Sequence, residues 1–89
     1  MTIPFVLEGI DGWLEEIATD ADGVMLANFC SDELYHPVSV ISYPDGDVFA
    51  PMDWEGPQPQ TWADVPNIAW VDAHGRPAVM LLGLPRRIA

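Results

Sequence analysis

Cys30, His36 and His74 are the only thiol and imidazole groups in this chain of 89 residues, so nucleophilic or zinc chemistry would have to run through them. A thiolate beside an imidazole can attack a carbonyl, and three such ligands with a carboxylate or water can hold zinc. Their spacing matches no metal motif. His74 falls in Asp72-Ala-His-Gly-Arg76, a turn region where a polar residue needs no further reason. Cys30 closes an apolar run and reads as a small buried hydrophobe. With no second cysteine there is no intramolecular disulfide and no thiolate zinc cluster.

Carboxylates offer the other route to chemistry. Asp20-Ala-Asp22-Gly23 and Asp45-Gly46-Asp47 look like fragments of calcium loops. A loop starting at Asp20 would place Val24 fifth and Ser31 twelfth, where oxygen ligands and a glutamate are needed. Both pairs read instead as turn formers. Paired acids are also weak signals of acid–base catalysis here, because with 14 carboxylates any two fall close by chance. The chain has no Gly-rich phosphate loop, nucleophile elbow or dinucleotide fingerprint. The residues therefore predict a protein that is not an enzyme and carries neither metal nor cofactor, with a small zinc or cysteine enzyme as the lowest-ranked alternative.

Charge is the strongest global signal. The 14 acids face 3 basic residues, for a formal net charge of −11. Every acid precedes position 73, while Arg76, Arg86 and Arg87 are the whole basic complement. Such a field attracts cationic partners and repels nucleic acid and anionic membranes. Direct binding to DNA or RNA is disfavoured, since that mode sets Lys and Arg against phosphates. A high-salt habitat or a GC-rich genome would produce similar acidity and the absence of lysine without any role for this protein.

The elements that must carry these groups follow from periodicity. Ile3–Leu7 reads as a short strand. In the segment 11–20, DGWLEEIATD, Trp13, Leu14 and Ile17 fall on one side at helical spacing, with Asp11 as N-cap, so a helix is predicted there. If that helix starts earlier, Glu8, Asp11 and Glu15 form an acidic ridge along it. Strand-like runs follow at 24–29 and 38–43, then the turn Pro44-Asp-Gly-Asp47 and a returning strand at 48–50. Runs 68–71 and 77–83 make a second hairpin, apolar on both faces and so expected to lie centrally or beneath the helix. The last six residues are expected to be loosely held. The sum is a single small acidic α+β domain over 1–89, with a mostly antiparallel sheet of four to five strands and one N-terminal helix on a face. A small closed β-barrel with a helix is the alternative.

Between the hairpins lies PMDWEGPQPQTWADVP, residues 51–66, with four prolines and two tryptophans. Thr61-Trp-Ala-Asp64 reads as a capped helical turn that packs Trp62 on the sheet, with Pro66 forcing the exit. Trp54, between Asp53 and Glu55 and ahead of Gly56-Pro57, has no periodicity to bury it and is expected to be displayed. The prolines restrict φ, so the loop presents a defined face at low entropic cost.

Carboxylates three or four apart on a helix sit roughly 5–6 Å apart, near the spacing of backbone phosphates. The first functional reading is therefore an acidic inhibitor or modulator that mimics nucleic acid. It would engage a basic, nucleic-acid-handling protein or nucleoprotein complex, with a phage or mobile element as one setting. The expected contact residues are Glu8, Asp11, Glu15, Glu16, Asp20, Asp22, Asp45, Asp47, Asp53, Trp54, Glu55 and Asp64. The second reading is a structural or accessory subunit, for example a homodimer, that uses the apolar runs 68–71 and 77–83 as its interface. The start, MTIPFVLEGIDG, lacks a basic region ahead of its short apolar run, and no run reaches membrane-spanning length, so a cytoplasmic protein is expected.

Overall fold

The computed structural model describes residues 2–88. Eight strands form in chain order: β1 (Thr2–Leu7), β2 (Ile10–Thr19), β3 (Met25–Cys30), β4 (Val38–Ser42), β5 (Val48–Pro51), β6 (Trp70–Val71), β7 (Val79–Leu81) and β8 (Leu84–Arg86). A single 3-10 segment, Trp62–Asn67, lies between β5 and β6. The first six strands make one antiparallel meander in sequence order, and β7 and β8 make a separate two-stranded ribbon. The sheet ends at β1 and β6, so it is not a closed barrel.

The expected α+β architecture is overturned at its one helix. Residues 10–19 are the longest strand of the protein, paired with β1 on one side and β3 on the other. Leu14 and Ile17 share a side only on a helix. On a strand they have opposite parity, and Leu14 enters one apolar cluster while Ile17 packs against the other. The irregularity between Glu16 and Ala18 adjusts the register beyond that point.

Two clusters, one on each face of the sheet, form the core. Period-two alternation assigns their members. Ala27, Phe29, Val38, Val40 and Ala50 join Leu7 and Leu14 on the first face, while Leu26, Ile41 and Phe49 join Val24, Tyr43, Val65 and Trp70 on the second. The first face is covered by the β1–β2 hairpin. That hairpin runs past the end of β3, where Trp13 pairs with Cys30, and its far half lays Phe5, Leu7 and Ile10 against the cluster. Its loop is Glu8-Gly9, both left-handed at φ 49° and 81°, the two-residue turn whose twist suits a hairpin.

The 3-10 segment and the chain after it cover the second face. Val65 is fully buried, and the Trp70 indole N–H donates to its carbonyl at 3.0 Å. The predicted turn at Thr61–Asp64 forms and Trp62 packs on the second cluster, but the expected side-chain cap does not: the Thr61 hydroxyl donates to the Asp64 carboxylate, and the Asp64 N–H is taken by the Thr61 carbonyl. Pro66, however, lies inside the segment and does not end it.

The proline-rich crossover covers β4 where β5 has not yet begun to pair. Ser39 is fully buried there: its N–H donates to Gln58 Oε1 at 2.7 Å and its hydroxyl to the Pro59 carbonyl at 3.0 Å. An otherwise open sheet edge is thereby satisfied.

One turn device recurs in Asp20–Gly23, Asp53–Gly56 and Asp72–Gly75. In each, Asp Oδ1 accepts the N–H two residues on, from Asp22, Glu55 and His74. The Asp carbonyl accepts the glycine N–H. These aspartates are turn formers first.

The second predicted hairpin is also corrected. Asp72–Arg76 does form its turn, and Ala78 N–H donates to the Trp70 carbonyl. But β6 is a two-residue edge strand, and all three residues of β7 are exposed. The expected central, doubly covered position is therefore not taken. The tail is anchored by β8, where Pro85 is fully buried and its carbonyl accepts the Tyr43 hydroxyl.

Candidate binding cleft

The folded-over β1–β2 hairpin leaves a cleft of about 320 Å³ between itself and the lower sheet. Phe5, Val6, Leu7 and Glu8 form one wall, and Gly46, Val48, Ala50, Asp72 and Ala73 form the other. The lining is mostly apolar, with Glu8 and Asp72 as its two carboxylates. Glu8 is exposed at the hairpin tip. Asp72 is held by its own turn: Oδ1 accepts the N–H groups of His74 and Arg76 at 2.8 and 3.0 Å, and Oδ2 faces Arg76 Nε at 3.4 Å. The Arg76 and His74 backbone N–H groups, with the Arg76 charge, hold the Asp72 pKa below its ordinary value.

Gly46 in the cleft wall belongs to the Pro44–Asp47 turn, at an end of the sheet where further acids gather. The Asp20–Gly23 and Pro44–Asp47 turns touch, since a Cβ on Gly23 would lie 3.0 Å from Pro44. Asp20, Asp22, Asp45 and Asp47 therefore share this end. Tyr43 sits beneath it, its pKa raised chiefly by burial and further by Asp20, Asp45 and Asp47, against the opposing pull of Arg86. Arg86 stacks over the Tyr43 ring at 4.7 Å, and Arg87 pairs with Asp47. All three arginines of the chain are thus engaged with groups of their own molecule.

The other predicted contact residues lie elsewhere. Asp11 and Glu15 occupy alternate positions on β2, opposite in parity to Leu14. Four residues of strand separate them by roughly 13 Å, so the close-spaced helical ridge does not exist. Glu16 accepts from the Thr19 hydroxyl, and Asp64 from Thr61. Asp53, Trp54 and Glu55 sit in the crossover turn, where Glu55 lies 3.5 Å from His36 Nε2. Trp54 is half-buried against the first cluster and not freely displayed. The turn that looked like display instead folds the indole onto the sheet.

The soft ligands are dispersed. Cys30 donates to Glu15 Oε2 at 3.2 Å, and burial, with the neighbouring Glu15, pushes its pKa up to about 11. His36 contacts the Pro37 carbonyl and Glu55, contacts that raise its pKa. His74 lies in the Asp72 turn. Among the described residues, no group of three His, Cys, Asp or Glu side chains is placed to hold a metal ion, and no helix is long and apolar enough to cross a membrane.

Sequence reading missed the cleft and Asp72. The apolar wall residues were legible as strand, but nothing local signals that a hairpin folds across the sheet to face them. No protein-family model, curated protein or solved structure matches the chain. Fold and site together define an antiparallel β-sheet protein with an acid-rimmed apolar cleft.

Proposed function

We propose that this protein is a small acidic binding module that receives a basic segment of a partner protein and so blocks or modulates that partner. The observation that carries the reading is the cleft itself: a mostly apolar lining with Glu8 and Asp72 as its carboxylates, and with Gly46 of the acidic Pro44–Asp47 turn in one wall. A lysine or arginine fits such a site well, because its aliphatic stem buries along apolar surface while its charged head stays at the wet rim. The surplus of carboxylates steers the encounter, and desolvated apolar contact in the cleft supplies the residence time. A nucleic-acid-handling partner suits the reading, since such proteins present basic surfaces. Steric mimicry of phosphate spacing is no part of it, because the helical row it needed is a strand.

The test is titration of the full chain with arginine-containing and lysine-containing peptides that also carry a leucine, alongside an uncharged peptide of equal apolar content. The basic peptides are expected to bind, and to weaken steeply with salt. Val6→Trp, which fills the cleft from an exposed position, is expected to cost about tenfold or more in affinity, or roughly 1.4 kcal/mol. Salt-independent binding, or equal binding by Val6→Trp, would sink the reading.

A further inference from the structure

We infer that the partner's basic segment binds as an extended strand, added antiparallel to the free edge of β1 along the cleft. The inference rests on the cleft being the site for that segment, and adds the conformation and residue pattern the segment must have. Phe5, Val6, Leu7 and Glu8, four consecutive residues, line the cleft, while no residue of β2 does. The cleft therefore runs along the edge of β1 that faces away from β2. Its opposite wall includes Val48 and Ala50, alternate residues of β5 on the first face of the sheet.

The hairpin fixes which backbone groups that edge offers. Its loop is the two residues Glu8-Gly9, so the flanking Leu7 and Ile10 form a hydrogen-bonded pair. Alternation makes Phe5–Gly12 and Ile3–Leu14 the next such pairs. Pro4 falls at a non-bonded position, which suits a residue without an N–H. Val6 falls at another, so its N–H and C=O point away from β2, at the edge that borders the cleft. Among the described residues, β2 is the only strand beside β1, and no turn or loop group bonds to Val6.

These backbone groups and the charge around them select the occupant. A lone lysine side chain cannot use an outward N–H and C=O together, whereas an extended peptide exchanges both bonds with Val6. The residue opposite Val6 faces solvent with it, since the Val6 side chain is exposed, and Glu8 stands two residues along. A lysine or arginine suits that position. Its neighbours turn inward over Val48 and Ala50 and suit apolar side chains, so the segment alternates apolar and basic residues. A second copy is a poor occupant: two bodies of net charge −11 repel, and Pro4 leaves each edge short of a donor.

Titration of the full chain with acetyl-Leu-Arg-Leu-Arg-Leu-amide and two backbone-methylated analogues tests this. In the antiparallel pairing the arginine amides face β1, and the leucine amides face away from it. N-methylation of both arginines is expected to weaken binding about tenfold or more, and N-methylation of the leucine after each arginine by less than about twofold. In hydrogen exchange, the Val6 amide should slow about tenfold or more when the unmodified peptide is added. The Phe5 amide, already bonded to β2, should hardly change. Equal binding by the two analogues overturns strand addition and leaves the basic-segment reading standing. So does a Val6 amide that exchanges at its free rate in the complex. Failure of the unmodified peptide to bind overturns both. A Val6 amide that becomes protected in the free chain as protein concentration rises would place a second copy on this edge, and overturns the inference too.

Discussion

Gly12 lies flat against the main chain of Cys30: a Cβ at residue 12 would fall 2.1 Å from the Cys30 carbonyl oxygen and 2.8 Å from the Phe29 ring. Phe5, directly opposite Gly12 in the register, meets Phe29 edge-to-face at 6.1 Å. The missing side chain is what lets the β1–β2 hairpin fold across the first face and form one wall of the cleft. Gly12→Ala is therefore expected to cost about 2–3 kcal/mol through overpacking. Urea denaturation checks it, and a loss under about half a kcal/mol would mean that the hairpin does not depend on this approach.

Tyr43 ties the C-terminal ribbon to the body. Its hydroxyl donates to the Pro85 carbonyl from a buried position, and its ring lies edge-to-face with Phe49 at 5.7 Å. Tyr43→Phe keeps the ring packing and leaves that carbonyl without its donor, for a loss of about 1–2 kcal/mol. Hydrogen exchange should localise the weakening to residues 79–86. Uniform weakening of the whole sheet would contradict this anchoring role.

The Cys30 thiol is expected to be inert. With its pKa pushed up to about 11 by burial first and Glu15 second, little thiolate exists at neutral pH. Iodoacetamide should modify the folded protein more slowly than the urea-unfolded chain, and Glu15→Gln should speed the reaction only in part. Because the folded-state value is raised, the stability linked to this thiol is complete below the ordinary value of 9.0 and fades as pH climbs through about 11. Alkylation as fast as in the unfolded chain would refute the assignment.

Two partly buried groups give the stability curve opposite slopes. His36 titrates above its ordinary 6.5 because the Pro37 carbonyl and Glu55 favour the imidazolium. Its contribution is full below that value and disappears as pH rises through the folded-state pKa. Asp72 titrates below its ordinary 3.8, so its contribution is present above that value and lost as pH falls through the depressed one. Wild type minus His36→Gln should shrink on the alkaline side, and wild type minus Asp72→Asn on the acid side. Thermal midpoints across pH measure both, and differences flat with pH would remove the linkage.

Much of the hairpin order was legible locally. The strands at 24–29 and 38–43, the Pro44–Asp47 turn and the return at 48–50 form within one or two residues of their expected bounds, because alternation and turn chemistry act over short distances. The turn that sets Trp62 on the sheet was legible for the same reason, although Thr61 makes no side-chain cap there. Residues 10–19 were not legible. Their apolar spacing suits one helical side as well as two faces of a strand, and glutamates are ordinary in helices. Pairing with β1 and β3 decided the matter, since both neighbours were already committed to strand. Glu8-Gly9 was the overlooked sign, a two-residue hairpin loop lying just ahead of the predicted helix.

By itself, then, the sequence determined the charge surplus, the turn-forming aspartates and the hairpin of 38–43 with 48–50, because composition and turn chemistry are local properties. Only the tertiary structure decided that segment 10–19 is a strand, that Trp54 folds inward and that Glu8 meets Asp72 across an apolar cleft. Those outcomes depend on the first face of the sheet needing cover. The nearest apolar segment able to reach it is the hairpin that Gly12 allows to lie down.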